Sequence, residues 1–414
     1  MTTQPGTPPP GASHFRFFDG QFVANPFPMF AQMRSMGAVV QVPLPFGDGT
    51  NKAWMVTRME EAVQVLKDKR FTVDRSVIDP GDSSRQRAEQ AGNPPDFLAN
   101  SMISVDEPDH RRLRGLVSKA FTPKYISSLR PSIQHIADEL LDKVQHQGSM
   151  DLVQEYAYPL PINVISDMLG VPQKDREQIR AWSQAMVGGD RSNWQERVGK
   201  MRAFSNYIVQ LVAEKRHHPQ NDLVSQLIQQ EEEGDHLSEP ELLSMVRLLI
   251  FAGHETTSNL ISIGTLMLLD HPDQLEKLKA DLSLVPLTVE ELLRINGPVL
   301  TPLPRFAVED VELGGQHLRK GDFVLTVLAS ANHDETQFTH PDELDIARSL
   351  NRHIAFGQGI HICLGAPLAR LEGDIAFTTL LRRMPNLRLN APRESISWRG
   401  NFTLRGLNSL PVAF

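Results

Sequence analysis

The sequence contains one thiol, Cys363, and it lies within FGQGIHICLGAPLAR, residues 356–370. Gly357, Gly359 and Gly365 surround it. Glycines at this density let a backbone take positive φ and approach another group closely. From Leu364 onward, apolar residues recur at helical spacing, at Leu364, Leu368, Leu371 and Ile375. Cys363 therefore stands where a glycine-rich loop enters a helix. Free amide N–H groups and the positive end of the helix dipole favour a thiolate there.

A thiolate so placed has several uses besides filling a turn. As a hydrolase nucleophile it needs a base and an orienting group, and His361 is too near in sequence to settle that. As a zinc ligand it needs partners, and the chain has no second cysteine. As an axial ligand to haem iron it suffices alone, and thiolate promotes O–O cleavage.

Two further constellations carry chemistry. Ala252-Gly253-His254-Glu255-Thr256-Thr257 sets a glycine, an acid and two β-branched alcohols inside an otherwise apolar run. Each is a poor choice there by helix propensity or by burial, and such violations collect at functional sites. The alternative is a kink with a paired, buried Glu. His110 and Arg114 stand four apart, so they share one helix face. Such a pair binds a carboxylate or is simply solvated.

The stretch FGQGIHICLG closely resembles the haem-binding loop of the cytochrome P450 monooxygenases, Phe-Gly-x-Gly-x-His-x-Cys-x-Gly, and matches it at every specified position. The resemblance implies a b-type haem (heme b) with Cys363 as its axial ligand. It makes Phe356, His361 and Gly365 part of the haem loop. Ala252 to Thr256 is similar to the family's oxygen-activation motif. There Ala252 and Gly253 would let the helix bend over the haem, and Glu255 and Thr256 would relay protons. His110, Arg114, His361 and Arg305 would seat the propionates. Glu291-x-x-Arg294 looks like the family's buried pair, closed into a triad by Arg348. The implied reaction inserts one atom of dioxygen into an apolar small molecule. Polyketides and macrolides are the nearest substrate group, with fatty acids, terpenoids and steroids also open. Electrons would come from a ferredoxin or flavodoxin with its reductase.

The elements that must position these residues are readable in outline. The resemblance implies a mainly α fold with small β-sheets: a long central helix over the haem, a helical lid and a β-rich N-terminal lobe. It covers one domain from residue 16 to 414, after a tail over 1–15 rich in Pro, Gly and Thr. Residues 38–44 and 53–57 read as a hairpin around Gly47-Asp48-Gly49, and Glu60 to Lys69 as a helix. Residues 79–100 lose periodicity and fall on the loop that roofs the family's pocket. In DEPDHRR, Pro108 can open a helix, with Asp106, Glu107 and Asp109 suited to its first turn. If His110 and Arg114 face inward, Arg111, Arg112 and Lys119 are free for solvent and for an acidic electron carrier. Ser238-x-x-Glu241 is a capping box opening a helix of roughly thirty residues that ends at His271-Pro272. Pro298 to Arg305 is extended, because three prolines forbid a helix. Phe402, Thr403 and Leu404 belong to a tip reaching the pocket.

Composition narrows the function classes. Forty-two basic against fifty acidic residues leave a net charge of −8, which gives no footing for nucleic acid or an anionic membrane. The N-terminus lacks a basic region followed by an apolar run, so no signal peptide or membrane anchor is expected. A cytoplasmic monomer is the expectation. Two rivals belong to other classes: a haem protein that only binds or senses, and a cysteine hydrolase without cofactor. The first has no need of Glu255 and Thr256, and the second would show no Soret band. Asn332-His333-Asp334-Glu335, Ile295-Asn296 and the prolines at 302 and 304 depart from the family's usual residues.

Overall fold

A computed structural model describes residues 20–43, 52–79, 101–187, 194–232 and 237–414. The tail, the Gly47-Asp48-Gly49 turn and all of the 79–100 loop except Asp79 lie outside the described residues.

The long helix runs from Glu239 to Asp270, 32 residues, or about 48 Å at 1.5 Å per residue. Its start is set locally, since the Ser238 amide donates to the Glu241 carboxylate at 2.7 Å. It is buried along most of its length and packs on the Pro159–Leu169 and Ala366–Arg383 helices. It runs unbroken through Gly253 to Thr257, so that cluster does not kink it out of helix.

The β lobe draws on distant parts of the chain. Val39–Pro43 pairs antiparallel with Lys52–Val56, the two arms of the expected hairpin. Lys52–Val56 then pairs in parallel with Phe323–Thr326, and Arg305–Ala307 and Phe71–Thr72 complete five strands. The lobe is thus not N-terminal alone. Its second half is the chain that has just passed the cavity, which is how Arg305 comes to be anchored there.

The expected triad forms. Arg294 donates to both Glu291 oxygens at 2.8 Å, with neither side chain exposed. Arg348 Nε lies 3.1 Å from each of the same oxygens, and Asn351 donates to one at 2.9 Å. The departures from the family's usual residues are absorbed in packing. His333 Nε2 lies 2.8 Å from the Ile295 carbonyl. Asp334 holds Arg58 and the Met59 amide. Asn296 accepts from Arg405 at 2.6 Å. Burial pushes that guanidinium down to about 9, and it stacks 3.6 Å over Trp398.

Candidate functional site

Three elements meet at Cys363. Its amide donates to the Phe356 carbonyl at 2.9 Å, closing the loop on itself. Gly359 takes φ 74°, and a Cβ there would stand 2.3 Å from the Leu66 carbonyl. Only glycine lets the loop sit on the end of the Met59–Lys67 helix. Gly365 differs from expectation: its φ is −81°, an ordinary value, at the residue just before the Ala366–Arg383 helix. Behind the loop, Arg370 makes a bidentate pair with Glu290 at 2.6 and 2.8 Å. It also lies 4.6 Å over the Phe356 ring, while His353 contacts the same Glu290. The loop is pinned to the Val285–Asn296 helix by charge as well as by packing.

The thiol itself departs from expectation. Its free surface faces the cavity, with protein on almost every other side. Burial pushes its pKa up, and the Gly365 and Ala366 amides with Arg114 and Arg370 offset this only in part. The helix N-terminus alone does not make a thiolate here. A bound metal ion would, since coordination deprotonates a thiol outright.

On one rim of the cavity stands a set of buried nitrogen atoms with nothing to bond. His110 Nε2, His361 Nδ1 and Arg305 Nε have no hydrogen-bond partner. The two imidazoles lie 4.4 Å apart, edge to face. Burial, then the charges of His361 and Arg114, push His110 down to about 4. Arg114 lines the same cavity, whereas Arg305 stands behind it with Nη1 on the Phe71 carbonyl at 3.1 Å. Unpaired buried nitrogens are costly, and these three, with the Arg114 guanidinium beside them, fit the carboxylates of a haem.

Asp106 is the organiser that sequence reading missed. Instead of serving the first turn of the Asp109–Ser118 helix, its carboxylate accepts from Thr72 Oγ1 at 2.5 Å and from the Val73 amide at 3.0 Å. It also contacts His361 Nε2 at 3.1 Å. Burial opposes its ionisation, yet the hydrogen bonds from His361, Thr72 and Val73 hold it at about 2. Arg112 faces solvent as expected but is not free. It pairs with Glu241 at 2.6 Å and with Asp109 at 3.0 Å, tying this helix to the long one. Arg111 and Lys119 do remain exposed.

Across the cavity, Ala252, Gly253, Thr256 and Thr257 form the wall. Thr256 Oγ1 donates to the Ala252 carbonyl at 2.9 Å, leaving its lone pairs toward the cavity. Glu255 is not brought to Thr256. It is fully buried away from the cavity, with Oε1 accepting from Arg399 Nη1 at 2.5 Å and from Asn259 Nδ2 at 3.2 Å. The Phe402–Leu404 tip does not line the cavity either. It backs the wall, with the Thr403 carbonyl on the Leu300 amide and the Phe402 carbonyl on Thr301 Oγ1.

A second acid was also missed. Glu372, on the helix after the cysteine loop, is fully buried at the cavity edge, and neither of its oxygens completes a hydrogen bond. Burial pushes it up to about 8, which the Thr257 hydroxyl offsets only in part. The clue in the sequence is a lone acid on the apolar face of that helix, one residue after Leu371. Such a carboxyl keeps its proton in the fold and loses it in the unfolded chain above about pH 4. Stability contributed this way is lost as pH rises from about 4 toward 8. Glu372→Gln should therefore match the parent near pH 4 and exceed it at pH 8, the gap growing by at most roughly 1.4 kcal/mol per pH unit. Denaturant midpoints of the haem-loaded proteins measure this. Equal midpoints throughout would mean that Glu372 is ionised or paired in the fold.

The described residues leave about 1310 Å³ of atom-free space between these walls, part of it open to solvent.

A family model for cytochrome P450 matches residues 46–385. This chain is a cytochrome P450. The P450 is 42% identical over 393 residues to the polyketide biosynthesis cytochrome P450 PksS of Bacillus subtilis (strain 168), covering 95% of this chain and 96% of that one. It is 42% identical over 395 residues to the cytochrome P450 monooxygenase PikC of Streptomyces venezuelae, at 94% and 91% coverage. The crystal structure of myxobacterial CYP267B1 in complex with myristic acid superposes with a TM-score of 0.89 at 40% identity. That superposition covers 96% of this chain and 98% of that one. The P450 is a haem monooxygenase, as the cysteine loop implied. Among the described residues, no helix is long and apolar enough to cross a membrane.

Proposed function

We propose that Cys363 ligates the haem iron and that His110, Arg114, Arg305 and His361 hold the propionates, within one domain spanning 16–414. Phe356 and Gly365 would shape the loop beneath the ring, and Ala252 and Gly253 the wall above it. One observation carries this reading: the chain's single thiol opens into a cavity whose rim holds buried nitrogens without partners. Haem, when bound, supplies the activation of dioxygen. One oxygen atom enters the substrate and the other leaves as water, using two electrons and two protons.

The chain's own part is binding and proton handling. Thr256 would turn its hydroxyl proton from the Ala252 carbonyl into the cavity and take a replacement on its oxygen from the side of Glu255, the acid behind it. Away from the propionate rim, the wall offers Leu248, Leu249, Leu293, Val299 and Pro302 without a charge among them. We therefore assign an apolar substrate of polyketide or macrolide type, supported by the likeness to PksS and PikC. The reduced carbon monoxide complex should show the red-shifted band of thiolate ligation. Polyketide lactones should drive the low-to-high-spin shift more strongly than fatty acids or steroids do. An unshifted band would end the ligand assignment, and a stronger response to steroids would end the substrate one.

Electrons would arrive from an external ferredoxin or flavodoxin. Arg111 is the more exposed of the two arginines at 111 and 112 and pairs with Glu107 at 2.7 Å, whereas Arg112 is engaged with Glu241. Arg111→Glu should slow reduction by an acidic carrier most at low salt. Arg112→Glu should instead lower thermal stability. Carrier rates for Arg111→Glu that equal the parent's at low ionic strength would place docking elsewhere.

A further inference from the structure

Glu255 and Thr256 are neighbours in sequence, yet only one of them meets the cavity. The reason is a β-ribbon from the end of the chain. Trp398–Gly400 pairs antiparallel with Arg405–Leu407, with Arg399 opposite Gly406. The ribbon lies on the long helix at Asn259. A Cβ on Gly406 would stand 2.1 Å from Asn259 Oδ1, so only glycine permits that seat. From it, Arg399 reaches Glu255 Oε1 at 2.5 Å and Asn259 Oδ1 at 3.2 Å, with Nε on the Leu407 carbonyl at 3.1 Å. The second Glu255 oxygen is buried and has no partner.

The same ribbon is fastened to the cavity wall at its other end. The Arg405 amide donates to the Pro298 carbonyl at 2.9 Å, and the Leu300 amide to the Thr403 carbonyl at 2.8 Å. Leu404 bridges Val299. Pro298, Val299 and Pro302 line the cavity itself.

We infer that Arg399 is the positioning residue for Glu255, and that the ribbon carries displacement of the Pro298–Pro302 wall to that ion pair. This rests on the reading of Glu255 and Thr256 as the proton-handling pair. With the ribbon seated, the guanidinium holds the carboxylate away from Thr256. A substrate pressing on the wall moves the ribbon, and Arg399 draws the paired Glu255 carboxylate with it, turning its free oxygen toward the alcohol. Proton supply then follows occupancy of the cavity.

The test uses the haem-loaded enzyme with its reductase system. It compares Arg399→Gln, Arg399→Lys, Gly406→Ala, Glu255→Gln, Thr256→Ala and the double variant of Arg399→Gln with Glu255→Gln. In Arg399→Gln the share of electrons recovered as product should fall to roughly a tenth, with the balance appearing as hydrogen peroxide. That is less than the loss of a direct proton-transfer group. The solvent isotope effect should change, and substrate affinity from the spin shift should not. Arg399→Lys should recover most of the coupling. Gly406→Ala, which keeps both charges but lifts the ribbon from Asn259, should uncouple as well. A structural readout accompanies these: Arg399→Gln strands a buried charge, so the double variant should have a higher thermal midpoint than Arg399→Gln alone.

Parent-like coupling in Arg399→Gln, beside a clear loss in Thr256→Ala, would overturn the role of Arg399 and leave the alcohol's role standing. Parent-like coupling in Gly406→Ala alone would overturn transmission through the ribbon. Full coupling in both Thr256→Ala and Glu255→Gln would remove the proton-handling reading and this inference with it.

Discussion

Cys363→Ala should abolish the red-shifted band of the reduced carbon monoxide complex and, with it, all monooxygenation. The loss should be complete because nothing nearby replaces the sulfur. Cys363 is the chain's only thiol, and no group of three or more metal-ligating side chains gathers elsewhere among the described residues. His361, two residues away, is turned to Asp106 through one nitrogen. Haem content is the separable readout. The rim of His110, Arg114, Arg305 and His361 is untouched by the substitution, so part of the haem should stay bound without the thiolate spectrum. The loop should keep its shape, since its closing bond runs from the backbone amide of residue 363. A red-shifted band that survives in Cys363→Ala would refute the ligand assignment.

Glu291→Gln should be the most destabilising single change outside the cavity, costing about 3–5 kcal/mol. Among the described residues, Glu291 is the only carboxylate that Arg294 meets, and both are completely buried. The same two oxygens hold Arg348, Asn351 and the Asp345 amide. Arg294 in turn donates to the Asn332, Pro341 and Glu343 carbonyls. Neutralising the acid leaves a buried guanidinium and loosens the whole segment leading to Phe356. Haem retention should therefore fall along with the denaturant midpoint. An exposed surface pair would lose about 1 kcal/mol or less. A loss of that size in Glu291→Gln would mean that the triad is not the brace its geometry implies.

Much of this was legible in order along the chain, where the cause is local. Glycine spacing announced the cysteine loop, and Gly359 does take the left-handed backbone. A capping box announced the long helix, and three prolines kept 298–305 extended. His110 and Arg114 share a face because four residues make about one turn. Other residues misled for the same reason. Asp106 looked like a first-turn acid, and Arg112 like a free surface cation. Their partners, His361 and Glu241, lie 255 and 129 residues away, beyond the reach of any local pattern.

The amino-acid sequence alone thus determined the family, the axial cysteine loop, the long helix with its polar cluster and the i,i+3 pairing of Glu291 with Arg294. Each is written in spacing that acts within one turn of helix or one loop. Tertiary structure alone decided which member of each polar pair meets the cavity. Glu255 and Thr256 point about 100° apart on one helix. Nothing in that helix says which direction is inward. Arg399, 144 residues further on, takes the acid and leaves the alcohol to the cavity. Glu372 is kept neutral the same way, by walls that close over it from other parts of the chain. Burial and ion pairing are properties of neighbours in space, and those neighbours exist only once the chain has folded.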